Sequence, residues 1–143
     1  MQDNFSAEIG LVNQIRTKLV DDGWSIIQLV CSGGQAHFSI SYAMDGRLKN
    51  IYPDIVAFND KNILIGEIKE KFDKNDYLKL LELKSSGEGL KKLLKSVSLR
   101  TGENYQIENI LFYLVHSQAE PSPVQFIHQF AYSNGGFRSV LPA

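Results

Sequence analysis

The chain has one cysteine, three histidines, four prolines and one tryptophan in 143 residues. Cys31 alone cannot form an internal disulfide, and His37, His116 and His128 are too dispersed to complete a Cys/His set for structural zinc. Cys31 therefore reads as a small buried apolar residue. No apolar run approaches the roughly 20 residues that a membrane helix requires. The first residues, Met1-Gln2-Asp3-Asn4, have neither the basic nor the apolar segment of a signal peptide. A cytoplasmic (intracellular) protein with no membrane partner is expected. Internal repeats, low-complexity tracts and Pro/Ser-rich linkers are lacking too, so the chain reads as a single domain over residues 1–143. No Gly-x-Ser-x-Gly occurs, which leaves a serine-hydrolase triad without local support.

Neither sign of charge is in excess: 15 Lys+Arg stand against 16 Asp+Glu, a formal charge of −1. This argues against a protein that binds nucleic acid merely by being basic. With 43% hydrophobic and 10% aromatic residues, wholesale disorder is also excluded. The average hides a gradient. Residues 1–60 carry 4 basic and 7 acidic side chains, residues 61–100 carry 10 and 6, and residues 101–143 carry 1 and 3. The lysines of the middle segment either form a phosphate-binding face or simply solvate the outside of a helix.

What is present is a clear succession of elements. Phe5, Ile9, Val12, Ile15, Leu19 and Val20 recur at three- and four-residue spacings and predict an amphipathic helix over 4–22, with Asp3 or Asn4 at its start and Gly23 after its end. Residues 24–31 predict a buried strand that Ser32-Gly33-Gly34 breaks. Residues 37–42 alternate like a short strand, and Asp45-Gly46 is a turn signal. Two strands, 52–58 and 63–69, flank the turn-forming Asn59-Asp60-Lys61-Asn62. Helical pieces follow at 75–84 and 90–97, then a buried strand at 110–115, a short helix at 124–130 and an edge strand from Ala131. The fold class is α/β, a central mixed sheet flanked by helices.

Chemistry concentrates in the hairpin. If its loop is even, opposed positions share a constant sum: Phe58 faces Ile63, Val56 faces Ile65 and Asp54 faces Glu67. Two carboxylates then meet across adjacent strands, with Cβ atoms about 4.5–5.5 Å apart. Lys69, two residues beyond Glu67, lies on the same side. An apolar face ending in Asp, Glu and Lys is costly unless something compensates the two negative charges. A hard divalent cation does so, Mg²⁺ with Mn²⁺ as a substitute. Lys69 would then orient the water or stabilise charge on a phosphoryl group. The alternative is an internal ion pair of Lys69 with Glu67 or Asp54. Glu8 falls among Phe5, Val12, Ile15 and Leu19 on the apolar face of the first helix. It is either a further acid at the metal or the structural partner of Arg16 or Lys69. His116, at the end of a predicted strand, reads as a satisfied surface residue.

Pro53-Asp54, twelve intervening residues and Glu67-Ile68-Lys69 resemble the signature of the PD-(D/E)XK nuclease superfamily. The helix carrying Glu8, the strands around both halves of the motif and the helix after it resemble the αβββαβ restriction-endonuclease-like core, over residues 5–116. Look-alikes are the archaeal Holliday-junction resolvases, in which a Ser-Gly element follows the first strand as Ser32-Gly33 does here, and small restriction-type endonucleases. The resemblance implies that Asp54, Glu67 and the backbone carbonyl of Ile68 bind Mg²⁺, that Lys69 is the catalytic lysine, and that Glu8 is an auxiliary acid at the metal. It also implies that Ser32, Gly33, Lys49, Lys71 and Lys74 touch the phosphate backbone. The implied function is a Mg²⁺-dependent endonuclease hydrolysing DNA phosphodiester bonds with water as nucleophile, structure-specific or of restriction type. Small size and the family's habits point to a homodimer or a partner subunit. A non-catalytic DNA-binding or assembly subunit that keeps the fold is the second reading, and an interaction domain whose charges are all paired internally is the third.

Overall fold

The computed structural model describes residues 4–30, 37–69, 74–116, 128–133 and 136–140. The chain opens with α1 (Asn4–Asp21). Leu11, Val12, Ile15 and Leu19 form its buried stripe. Val20, expected in that stripe, is 58% exposed, because it stands a further 100° around the helix from Leu19. Gly23, at φ 90°, takes the left-handed conformation that stops the helix, and Trp24 N–H donates to the Leu19 carbonyl.

Five strands follow: β1 (Ser25–Leu29), β2 (Ile40–Met44), β3 (Arg47–Ile51), β4 (Ile55–Phe58) and β5 (Ile63–Lys69). Then come α2 (Lys74–Lys84), α3 (Gly87–Thr101), a 3-10 turn (Ile107–Asn109), β6 (Ile110–His116), β7 (His128–Ser133) and β8 (Gly136–Val140). The main sheet has the order β1-β4-β5-β6-β7-β8. It is mixed: β1, β4 and β5 are antiparallel, β5, β6 and β7 are parallel, and β8 returns antiparallel to β7. Strands β2 and β3 pair separately as a hairpin, whose turn residues Asp45 and Gly46 have φ of 52° and 75°.

Side-chain alternation along β5 sorts the core into two layers. Leu64 and Ile68 join Ile55, Ala57 and the stripe of α1. Ile63 and Ile65 face the other way, toward Leu80 and Leu83 of α2, Leu90, Leu93 and Val97 of α3, and Ile40, Tyr42 and Ile51 of the β2–β3 hairpin. The Ser86 hydroxyl accepts from Gly89 N–H and starts α3 at Gly87, earlier than the predicted 90–97. Gly89 itself is buried; a Cβ there would come within 2.8 Å of Leu83 Cδ1 and 3.2 Å of Tyr42 Cδ1, so its bare backbone lets the hairpin close on the helix.

The α/β class and the mixed sheet flanked by helices are as expected. Three local expectations change. The strand predicted over 52–58 starts only at Ile55, because Pro53 has no N–H for a ladder. The short strand predicted over 37–42 begins only at Ile40, and with the Asp45-Gly46 turn it forms the β2–β3 hairpin. Of the helix predicted over 124–130, residues 128–130 belong to β7 and 124–127 lie outside the described residues. Pairing with β6 decides this, together with the period-two spacing of Phe130 and Tyr132. Cys31 also lies outside the described residues. Among the described residues no helix is long and apolar enough to cross a membrane.

Candidate functional site

The turn between β4 and β5 sets the register. Asn59 Oδ1 accepts from the Lys61 and Asn62 amides, and Asn59 N–H donates to the Asn62 carbonyl. The loop is therefore even, and Phe58 pairs with Ile63, Val56 with Ile65 and Ile55 with Gly66, as the constant-sum reading requires. Asp54 precedes the ladder and is held by its own bonds. Its carbonyl accepts from Val30 N–H at 2.9 Å, and its Oδ2 accepts from Ile68 N–H at 2.9 Å.

Just before it, the Pro53 carbonyl accepts from Gln28 Nε2 at 2.5 Å. Gln28 Oε1 accepts from His37 N–H and Phe38 N–H at 2.8 and 2.7 Å. This buried amide ties β1, the approach to β2 and the Pro53-Asp54 step together. Sequence reasoning misses Gln28. The signal is a lone polar side chain inside the apolar run Ile26-Ile27-Gln28-Leu29-Val30.

Glu67 is 3% exposed. Its carboxyl is hydrogen-bonded to that of Asp54, and Oε1 lies 2.9 Å from Lys79 Nζ of α2. Burial, and then the negative charge of Asp54, push the Glu67 pKa up to about 8, while Lys79 pulls it back. The predicted meeting of the two acids is therefore present, and the cation that meets Glu67 at 2.9 Å is Lys79. In the sequence Lys79 is one of many basic residues in the middle segment; what marks it is its place one turn before the buried Leu83.

Lys69 lies on the same face as Glu67, half-buried, and its neighbour in the parallel ladder is His116. His116 is only 2% exposed, which corrects its reading as a surface residue: β6 has β5 on one side and β7 on the other, so its end is interior. The Ile68 side chain points into the α1 layer, while its N–H serves Asp54.

The remaining predicted residues are spread out. Glu8 belongs to α1, which packs on the sheet face opposite Glu67; its side chain lies outside the described residues. Lys49 is in the hairpin, with Nζ 3.6 Å from Glu82 Oε1. Lys74 opens α2 and is exposed. Ser32, Gly33 and Lys71 lie outside the described residues.

Among the described residues no three His, Cys, Asp or Glu side chains converge, so the acids available at this point are Asp54 and Glu67. Their chemistry fits a hard divalent cation. Burial and the facing Asp54 charge both favour the protonated form of Glu67, and an ion with a preference for oxygen would relieve the same repulsion. No protein-family model, curated protein or solved structure matches the chain.

Proposed function

We propose that this chain is a Mg²⁺-dependent endonuclease of the PD-(D/E)XK type, hydrolysing DNA phosphodiester bonds. The observation that carries the reading is the hydrogen-bonded Asp54–Glu67 carboxyl pair with Lys69 beside it on one face. The element order supports it. With the β2–β3 hairpin set aside as an insertion, α1, β1, β4, β5, the α2–α3 pair and β6 follow the αβββαβ pattern, antiparallel up to β5 and parallel at β6.

Asp54, Glu67 and the Ile68 carbonyl would hold the ion; Glu8, on the helix that packs against the opposite face of the sheet, is not assigned to it. When bound, Mg²⁺ generates a nucleophile from water at neutral pH and offsets charge on the scissile phosphate. Asp54 contributes through its fixed position: the Val30 and Ile68 amides hold it in place before substrate arrives. Lys69 orients the attacking water and stabilises negative charge on the phosphoryl oxygens. Lys49, Lys71, Lys74, Ser32 and Gly33 are assigned to the DNA backbone. A homodimer or a partner subunit supplies the second cut and the sequence or structure preference.

Asp54→Ala, Glu67→Ala and Lys69→Ala should each reduce Mg²⁺-dependent DNA cleavage by roughly 10³-fold or more while circular dichroism is unchanged. Cleavage that persists in all three variants refutes the assigned site. One observation favours the second reading, a non-catalytic DNA-binding or assembly subunit: Glu67 already has a cationic partner, Lys79 Nζ at 2.9 Å, without a metal. Calorimetric titration with Mn²⁺ separates the two. Heat that disappears in Asp54→Ala supports the enzyme, and no heat in the parent supports the binding subunit.

A further inference from the structure

On the face of the sheet opposite Glu67, α1 and the strands enclose a cavity of about 220 Å³. Its floor is aliphatic, from Ile15 of α1, Ile55 of β4 and Val115 of β6, and the half-buried rings of Trp24 and Tyr113 stand in its walls. Alternation brings Tyr113 and Val115 to this face of β6, and the helical period brings Ile15, Lys18, Leu19 and Asp22 to the side of α1 that overlooks them. Across the sheet Ile55, Gly66 and Tyr113 are consecutive in register, and the glycine adds no side chain to the floor.

Charge is unevenly placed at the mouth. Among the described residues, the charged groups that line it are Lys18 and Asp22, with Nζ 3.0 Å from Oδ2. These two cancel, and the surroundings are negative: Asp21 is the exposed neighbour of Asp22, and the carbonyl end of α1 adds partial negative charge. The field of Asp22 reaches the cavity wall, where burial and then this carboxylate raise the Tyr113 pKa. Aromatic walls with a carboxylate at the rim suit a cation that has an apolar body. An anion would meet Asp21 and Asp22 with repulsion, and a neutral ring gains nothing from them. In this structure Lys18 fills the role itself, its aliphatic stem along the cavity and its ammonium on Asp22. Both partners are about half exposed, 44% and 50%, so the pair exchanges at little cost.

We propose that this cavity is a binding site for a small organic cation, an amine or quaternary ammonium whose apolar body fills the space between α1 and β6 and whose charged head takes the place of Lys18 on Asp22. Benzene occupies an engineered cavity of about 150 Å³. The present one is larger, and takes a single ring with a short charged substituent. No covalent bond changes; the Lys18 ammonium returns to water. The site lies behind the sheet from Glu67 and is independent of the nuclease reading.

Trp24 is the only tryptophan of the chain, so its fluorescence reports entry into the cavity directly. The probes are benzylammonium, benzyl alcohol and benzoate at neutral pH, one ring in three charge states. Each is titrated into the full chain, Asp22→Asn and Lys18→Met, by fluorescence and by calorimetry. Benzylammonium should bind the parent with a Kd on the order of 1 mM, benzyl alcohol about tenfold more weakly, and benzoate more weakly still. Asp22→Asn should reduce benzylammonium to the level of benzyl alcohol. Lys18→Met keeps the aliphatic stem and removes the competing ammonium; it should tighten benzylammonium several-fold and leave benzyl alcohol unchanged. Equal affinity for all three probes, or preference for benzoate, overturns the cation site. Weaker benzylammonium binding in Lys18→Met overturns the exchange. Neither a fluorescence change nor heat up to about 20 mM benzylammonium overturns the site altogether. No arm uses DNA or metal, so each of these failures leaves the nuclease reading standing.

Discussion

Replacing Glu67 by glutamine tests the carboxyl pair through stability alone, without substrate or metal. In the unfolded chain this carboxyl titrates near its ordinary 4.5; in the folded chain burial, and then Asp54, raise it to about 8. The protonated form is the one the fold prefers. Its stabilising contribution is therefore fully present below 4.5 and is lost as pH rises through about 8. At 1.36 kcal/mol per pH unit that interval corresponds to roughly 5 kcal/mol, with the opposing pull of Lys79 already included. Glutamine keeps the shape, can donate to Asp54 as the protonated acid does, and cannot ionise. Its cost is the 2.9 Å contact with Lys79, a group that is 41% exposed and regains water when released. Urea unfolding followed from about pH 5 to about pH 9 should show the parent losing several kcal/mol across the interval. Glu67→Gln should hold nearly level and exceed the parent at the alkaline end by roughly 3 kcal/mol. Parallel pH profiles for parent and variant would refute the reasoning, since Glu67 would then titrate alike in both states.

Two further substitutions probe how the site is held. Gln28→Leu fills the same space but leaves the His37 and Phe38 amides and the Pro53 carbonyl without their partner, so thermal unfolding should report a loss of about 2–4 kcal/mol; stability equal to the parent's would show that the amide does not clamp the Pro53-Asp54 step. Gly66→Ala places a Cβ 3.0 Å from both the Tyr113 carbonyl oxygen and Ile55 Cδ1. It should destabilise by about 1–3 kcal/mol and speed amide exchange along β5, and unchanged exchange would mean that the β5–β6 gap absorbs the methyl.

The parts of the site legible in the sequence are those fixed by short-range arithmetic. A four-residue turn with Asn at both ends sets the β4–β5 register, and register alone brings Asp54 to Glu67. The parts that are not legible depend on neighbours far along the chain. Lys79 meets Glu67 because α2 packs over the sheet, and nothing in its local sequence says which acid it will find. His116 is buried because β7 covers β6, and the stretch leading to β7 has the spacing of a helix when taken alone. The hairpin at 40–51 is obscured because its residues face α3 on one side and solvent on the other, an alternation too short to stand out beside the stronger strands that follow.

The two partners of β5 lie at very different distances along the chain. β4 is joined to it by one tight turn, whereas β6 arrives only after α2 and α3. Closing the first loop costs little chain entropy and closing the second costs more, so the strand pair bearing both acids can assemble while their carboxylates are still hydrated. Expulsion of water from Glu67 then falls on the late docking of α2 and β6. Ionising that carboxylate penalises this final step and spares the early one. Alkaline conditions should accordingly release α2 first, with the Asn59–Asn62 turn still closed, so that the initial unfolding event takes place over Glu67.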